Sequence, residues 1–99
     1  MDEELKRFLG DVKSAFSGSR ILLFGSRAKG SARPDSDYDL IIVSRRFKGI
    51  PFADRPYHVW MKSDAVLAAD LLCYSPEEMK SVAKKSVVLK DALKHAISV

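Results

Sequence analysis

The sequence predicts a small α+β domain, a single unit over residues 1–99. Three observations predict it. An amphipathic stretch leads the chain, with Leu5, Phe8, Leu9, Val12 and Phe16 recurring at helical spacing. Short apolar runs follow, each too brief for a helix. A helix-capping signature at Ser75-Pro76-Glu77-Glu78 then opens the C-terminal part. With 99 residues, 46% of them apolar, the chain can bury one core but has no room for a second substrate domain. A charged fraction of 30% combined with clear periodicity excludes a disordered chain.

The leading helix is expected over residues 3–17, with Gly18 as its stop. Residues 21–24, Ile-Leu-Leu-Phe, read as a buried strand. Residues 26–32 can form a short helix, and Pro34-Asp35-Ser36 a turn. A second strand is expected over 37–43, and its unbroken apolar half implies burial on both faces. Residues 45–51 read as a basic loop. A short helix is expected over 54–62, with Asp54 as cap and Pro56 in the first turn. A third strand is expected over 66–73 and carries one acid, Asp70, in apolar company. In the helix that Ser75 caps, Met79, Val82 and Ala83 face inward. Ser86 restarts it, and Leu89, Ala92, Leu93 and Ile97 continue the apolar face.

The net charge is +4, which suits polyanionic ligands such as nucleotides but does not by itself indicate nucleic-acid binding. Cys73 is the only cysteine, so no internal disulfide forms and a reducing compartment is the default. The acidic start, Met1-Asp2-Glu3-Glu4, does not resemble a signal peptide. The apolar runs are far shorter than a membrane span. These features point to a cytoplasmic protein with no membrane partner.

The chemistry concentrates around Gly25-Ser26 and Asp37-Tyr38-Asp39. A strand that ends in Gly-Ser and turns into a helix exposes backbone N–H groups suited to anions. Gly25 permits close approach, and Ser26 can add a hydroxyl bond to a phosphate. Arg27, Lys29 and Arg33 stand nearby with charge for a triphosphate. Ten residues after Ser26, Asp37 and Asp39 stand at i and i+2, on one face of a strand with Cα atoms about 6.5–7 Å apart. Carboxylates so placed can share two Mg²⁺ ions, which stabilise the attacking and leaving oxygens of an in-line displacement. Taken singly, the Gly-Ser pair is an ordinary tight turn and the Asp pair a solvated one. Their spacing, each on its expected element, is what distinguishes them. Asp70 adds a third acid mid-strand, where a buried carboxylate needs a cation or a basic partner.

Gly25-Ser26, ten residues, Asp37-x-Asp39, then Asp70 on a later strand resembles the polymerase-beta-like nucleotidyltransferases, and within them the minimal nucleotidyltransferases. The resemblance covers nearly the whole chain. It implies a small mixed β-sheet backed by helices. It also implies Mg²⁺-dependent transfer of a nucleoside monophosphate, AMP from ATP, to a hydroxyl. Asp37 and Asp39 would hold both metals. Asp70 would hold the catalytic metal and help deprotonate the acceptor. Gly25 and Ser26 would hold the phosphates, with Arg27 and Lys29 beside them. Lys29 stands where the pattern more usually has arginine, keeping the charge but not the fork geometry.

The resemblance further implies a partner. Minimal members pair with a small helical protein of the HEPN class in a toxin–antitoxin arrangement, so this chain would be the antitoxin. It would add AMP to a tyrosine of the toxin within a hetero-oligomer. The competing class is a binding module that neutralises a partner by occlusion. Intact Asp37, Asp39 and Asp70 favour the enzyme.

The remaining residues read as structural. His58 and His95 are isolated and form no zinc spacing. Cys73 is expected in the core. Phe52, Tyr57 and Trp60 could stack on a base, but packing explains them equally well. Arg45-Arg46-Lys48 and Lys80-Lys84-Lys85 read as solvated faces. Tyr38 alternates with the acids and should point away from them.

Overall fold

The leading amphipathic stretch forms helix α1 over Glu3–Ala15 because its apolar positions fall on one stripe and its first turn is capped. The Asp2 carboxylate accepts from the Glu4 backbone N–H at 2.9 Å. The helix stops short of residue 17: Phe16 leaves helical geometry and sends its N–H back to the Val12 carbonyl. The computed structural model describes residues 2–33 and 36–99. The expected turn at Pro34-Asp35-Ser36 therefore falls largely outside the described residues.

Three longer strands follow: β1 over Arg20–Phe24, β2 over Tyr38–Val43 and β3 over Ala69–Tyr74. β1 and β2 pair antiparallel, β2 and β3 parallel, so the sheet is mixed. The strand order is β3-β2-β1-β4. β4 is a two-residue strand, Ile97–Ser98, laid antiparallel on the free edge of β1. Ile97 was expected on a helix face. It pairs with Leu23 instead, because the chain leaves its last helix and returns to an edge with unpaired backbone groups. β3 begins at Ala69 rather than 66, since Tyr38 is the first residue of β2 and the ladder has no partner before it.

β2 is central and its apolar run is buried on both sides, as expected: Leu40, Ile41 and Ile42 are fully enclosed. On one face, Leu40 and Ile42 join Leu5, Phe8 and Val12 of α1, with Phe47 and Val59 closing the cluster. On the other, Ile41 and Val43 pack with Leu22, Leu72, Met79, Val82, Leu89 and Leu93. The last four come from helices α4 (Pro76–Lys85) and α5 (Val87–Leu93). α4 starts as expected, with a reciprocal capping box. The Glu78 N–H donates to Ser75 Oγ at 3.2 Å, and the Ser75 N–H donates to Glu78 Oε1 at 2.7 Å. Ser86 caps α5 by accepting from the Leu89 N–H.

Helix α3 covers Arg55–Trp60 with Pro56 in its first turn. Asp54 precedes it but makes no side-chain cap, because its backbone is already helical within the 3-10 turn Phe52–Asp54. A side-chain cap needs an extended backbone at that position. Trp60 packs on Phe8 with ring centroids 4.7 Å apart, Cys73 is buried, and Tyr57 is exposed. Burial pushes the Cys73 thiol up to about 12, which suits a core residue and not a nucleophile.

Arg55 is the hub that the sequence did not single out. It is buried, and its Nε donates to the Ile50 carbonyl at 2.8 Å while Nη1 donates to the Cys73 carbonyl at 3.1 Å. Its fork also grips Glu78, with Nη1–Oε1 at 2.5 Å and Nη2–Oε2 at 3.1 Å. One guanidinium thus ties the loop before α3, strand β3 and the start of α4. The Arg55 bonds, then the Ser75 N–H, hold the Glu78 carboxyl down at about 2. A depressed carboxylate stabilises the fold above its ordinary value near 4.5, and that contribution fades as pH falls towards 2. Arg55→Met should cost about 2–3 kcal/mol, mostly from orphaned carbonyls, because the half-exposed Glu78 is screened by solvent. It should also flatten the loss of stability between pH 4.5 and 2. Urea melts across that range test this, and an unchanged acid limb would contradict the assignment.

Candidate active site

The site forms where β1 ends. Phe24 lies opposite Asp39 in the antiparallel ladder, and the chain turns at once into the five-residue helix α2, Gly25–Lys29. That helix ends earlier than expected, at Gly30, whose N–H returns to the Ser26 carbonyl. Gly25 sits at the junction with φ +70°. A Cβ on Gly25 would overlap Asp39 Oδ2 and lie 3.2 Å from Asp39 Cγ. The missing side chain is therefore a geometric requirement, since the Asp39 carboxylate occupies the space a Cβ would take.

The strand register gathers the acids. Asp39 stands directly beside Asp70 in the parallel ladder of β2 and β3, so both side chains leave the same face. Asp37, two residues before Asp39, precedes that strand. Asp70 departs from expectation in one respect: it is exposed rather than buried. It lies near the start of β3, two residues ahead of Leu72, which packs into the apolar cluster with α4 and α5. Its apolar sequence neighbours Ala69 and Leu71 point the other way, into the α1 face. Asp39 is half-buried. Burial first, then the charges of Asp70 and Asp37, push its carboxyl above the ordinary value. Among the described residues no ion pair joins any of the three acids to a cation.

Arg27 lies beside the Gly-Ser turn, in helix α2. Its guanidinium lies 4.4 Å over the Tyr38 ring and donates to the Ser36 carbonyl at 2.6 Å (Nη2) and 3.2 Å (Nε). Tyr38 points away from the acids, as alternation predicted, and its hydroxyl donates to Asp2 at 3.3 Å. Arg27 thus secures the backbone one residue before Asp37. Lys29 and Arg33 are exposed, and Lys29 forms no ion pair among the described residues.

The donor set fits a divalent cation chemically. Carboxylate oxygens are hard ligands, and mutual repulsion around Asp39 is the kind of strain a cation relieves. The acids are not drawn into a closed cage: no cluster of three metal-binding side chains exists among the described residues.

The mixed sheet, with helices on both faces, thus carries a Cβ-free turn against a strand carboxylate and acids paired across a parallel ladder. The chain belongs to the nucleotidyltransferase domain family, whose model matches residues 5–97. Among solved structures, the chain is similar to a Sulfolobus solfataricus protein described as a candidate nucleotidyltransferase. The two share 24% identity and a TM-score of 0.68, over 97% of this chain and 76% of that one. That likeness supports the fold. A comparison with curated proteins finds no match. Nucleotidyltransferase domains use a nucleoside triphosphate and a divalent metal. No helix among the described residues is long and apolar enough to cross a membrane.

Proposed function

We propose that this nucleotidyltransferase domain transfers AMP from ATP to a hydroxyl of a protein partner, a HEPN-type helical toxin for which it is the antitoxin. The observation that carries the catalytic half is the placement of Asp39 and Asp70 side by side, with Gly25 against the Asp39 carboxylate. The partner half rests on the resemblance to minimal nucleotidyltransferases, whose small size leaves acceptor recognition to another chain.

Gly25 lets the triphosphate come close to Asp39, and the Ser26 hydroxyl donates to a phosphate oxygen. Asp37 and Asp39 would hold Mg²⁺, with Asp70 beside them. The bound metal supplies positive charge against the developing charge on the phosphates. Asp70 is exposed at the mouth and accepts the proton of the attacking hydroxyl. The hydroxyl oxygen bonds to the α-phosphorus, the bond to the bridging α–β oxygen breaks, and pyrophosphate leaves. Lys29 offers charge to the phosphates from the end of α2. Arg27 acts as a positioning residue for Asp37.

The test is incubation of the protein with ATP, Mg²⁺ and the helical partner, followed by intact-mass and peptide spectrometry. The expected result is one AMP added to a partner tyrosine, dependent on metal. Partner neutralisation with no adduct would replace this reading with occlusion.

A further inference from the structure

The same sheet face that carries the acids ends, at its other extremity, in a basic groove. Arg20 and Val43 form the last pair of the β1–β2 ladder, and Phe24 and Asp39 the first. Four residue steps of strand separate the two ends, about 13 Å, and residues 39, 41 and 43 share one face. α4 and α5 cover the middle through Ile41, Leu22 and Leu72, so groove and acids are separate sites.

The groove encloses about 490 Å³ and is lined by Arg20, Arg45, Arg46 and Lys80, with Ser17 and Ser44 between them. Among the described residues no acidic and no aromatic side chain lines it. None of the four cations forms an ion pair among the described residues. Arg45, Arg46 and Lys80 were expected to be solvated faces. They are exposed, and the fold brings them together with Arg20, so that residues from β1, from the turn after β2 and from α4 share one concavity. Glu77 stands close by at the start of α4. Its carboxyl is held low first by its own backbone N–H, with Ser75, Lys48 and Arg45 assisting.

We propose that this groove binds a small polyphosphate anion, distinct from the triphosphate at the acid site. The volume is that of a small-molecule pocket, typically about 300–1,000 Å³. Guanidinium forks match phosphate oxygens in pairs. A nucleic-acid strand would be expected to find aromatic platforms for its bases, and the groove has none. Occupancy would place a bound anion against Arg20 and the start of β1, one strand length from the catalytic end.

Calorimetry with inorganic tripolyphosphate, in chelator so that the acid site lacks metal, tests the proposal. One anion should bind per chain. Arg20→Gln with Arg46→Gln should weaken it about tenfold or more, as the loss of two charge-assisted contacts requires. Arg45→Gln with Lys80→Gln should do the same, and Asp39→Asn should leave binding unchanged. All of these residues except Asp39 are exposed, so circular dichroism should show an intact fold. The proposal fails if binding does not saturate, or if it is lost in Asp39→Asn but kept in both groove variants. It also fails if short single-stranded RNA or polyglutamate binds the groove more tightly than tripolyphosphate. Those outcomes would assign the groove to a nucleic acid or an acidic protein.

Discussion

Asp39→Asn should lower nucleotidyl transfer by about 10²–10³-fold, the scale on which removal of one preorganised charge contact acts in a site of this kind. The change keeps the volume and removes the charge most strongly coupled to its neighbours. The metal-free variant should melt no lower than the parent, because a neutral amide no longer repels Asp70 across the ladder or Asp37 along the strand. Asp70→Asn should also reduce transfer. Its effect on metal-free stability should stay within about 0.5 kcal/mol, since the side chain is exposed and little desolvation is relieved. Transfer rates and melting curves of both variants, with and without Mg²⁺ and nucleotide, decide the matter. Asp39→Asn with transfer near the parental rate would remove the acids from the reaction.

The exposure of Asp70 also shows where the sequence stops being informative. A carboxylate flanked by Ala69 and Leu71 reads as buried because periodicity reports neighbours along the chain. Exposure depends on what lies above the sheet. Here the strand alternation was legible: Tyr38 packs into the α1 cluster, opposite to Asp39, which stands beside Asp70. The position of Asp70 beside Asp39 required the parallel register of β2 and β3, which no local pattern encodes. β2 was read correctly because a run buried on both faces leaves its mark in composition alone. β4 was not, because two residues become a strand only by finding the edge of β1.

Charged residues were hardest to place for the same reason. Arg27 lies beside the Gly-Ser turn in sequence, yet its guanidinium stacks on Tyr38 and holds the Ser36 carbonyl. Arg55 gave no local signal at all, because its partners Ile50, Cys73 and Glu78 come from separate elements. The capping box of α4 was legible, since Ser75 and Glu78 are three residues apart, but the second use of Glu78 as partner of Arg55 was not.

Gly25→Ala should damage the protein twice, and the two effects can be separated. An alanine at φ +70° costs about 1–2 kcal/mol of backbone strain, which lowers the melting temperature by roughly 4–8 °C for each kcal/mol in a domain of this size. The new Cβ would also collide with the Asp39 carboxylate, so either the turn or the side chain must move. Asp39 belongs to a central strand whose next three residues, Leu40, Ile41 and Ile42, are fully buried, so its backbone resists and its carboxylate shifts instead. Transfer should then fall far more than stability does, by about 10²-fold, as a displacement near 1 Å at a reacting centre can cause. Gly49→Ala is the control. Its φ of +86° imposes comparable strain, and a Cβ there meets nothing within 4 Å. Gly49→Ala should lose stability to a similar degree and keep its transfer rate. Equal loss of transfer in both variants would mean that instability alone explains the result. Full activity in Gly25→Ala would show that the closeness of this turn to Asp39 has no part in the chemistry.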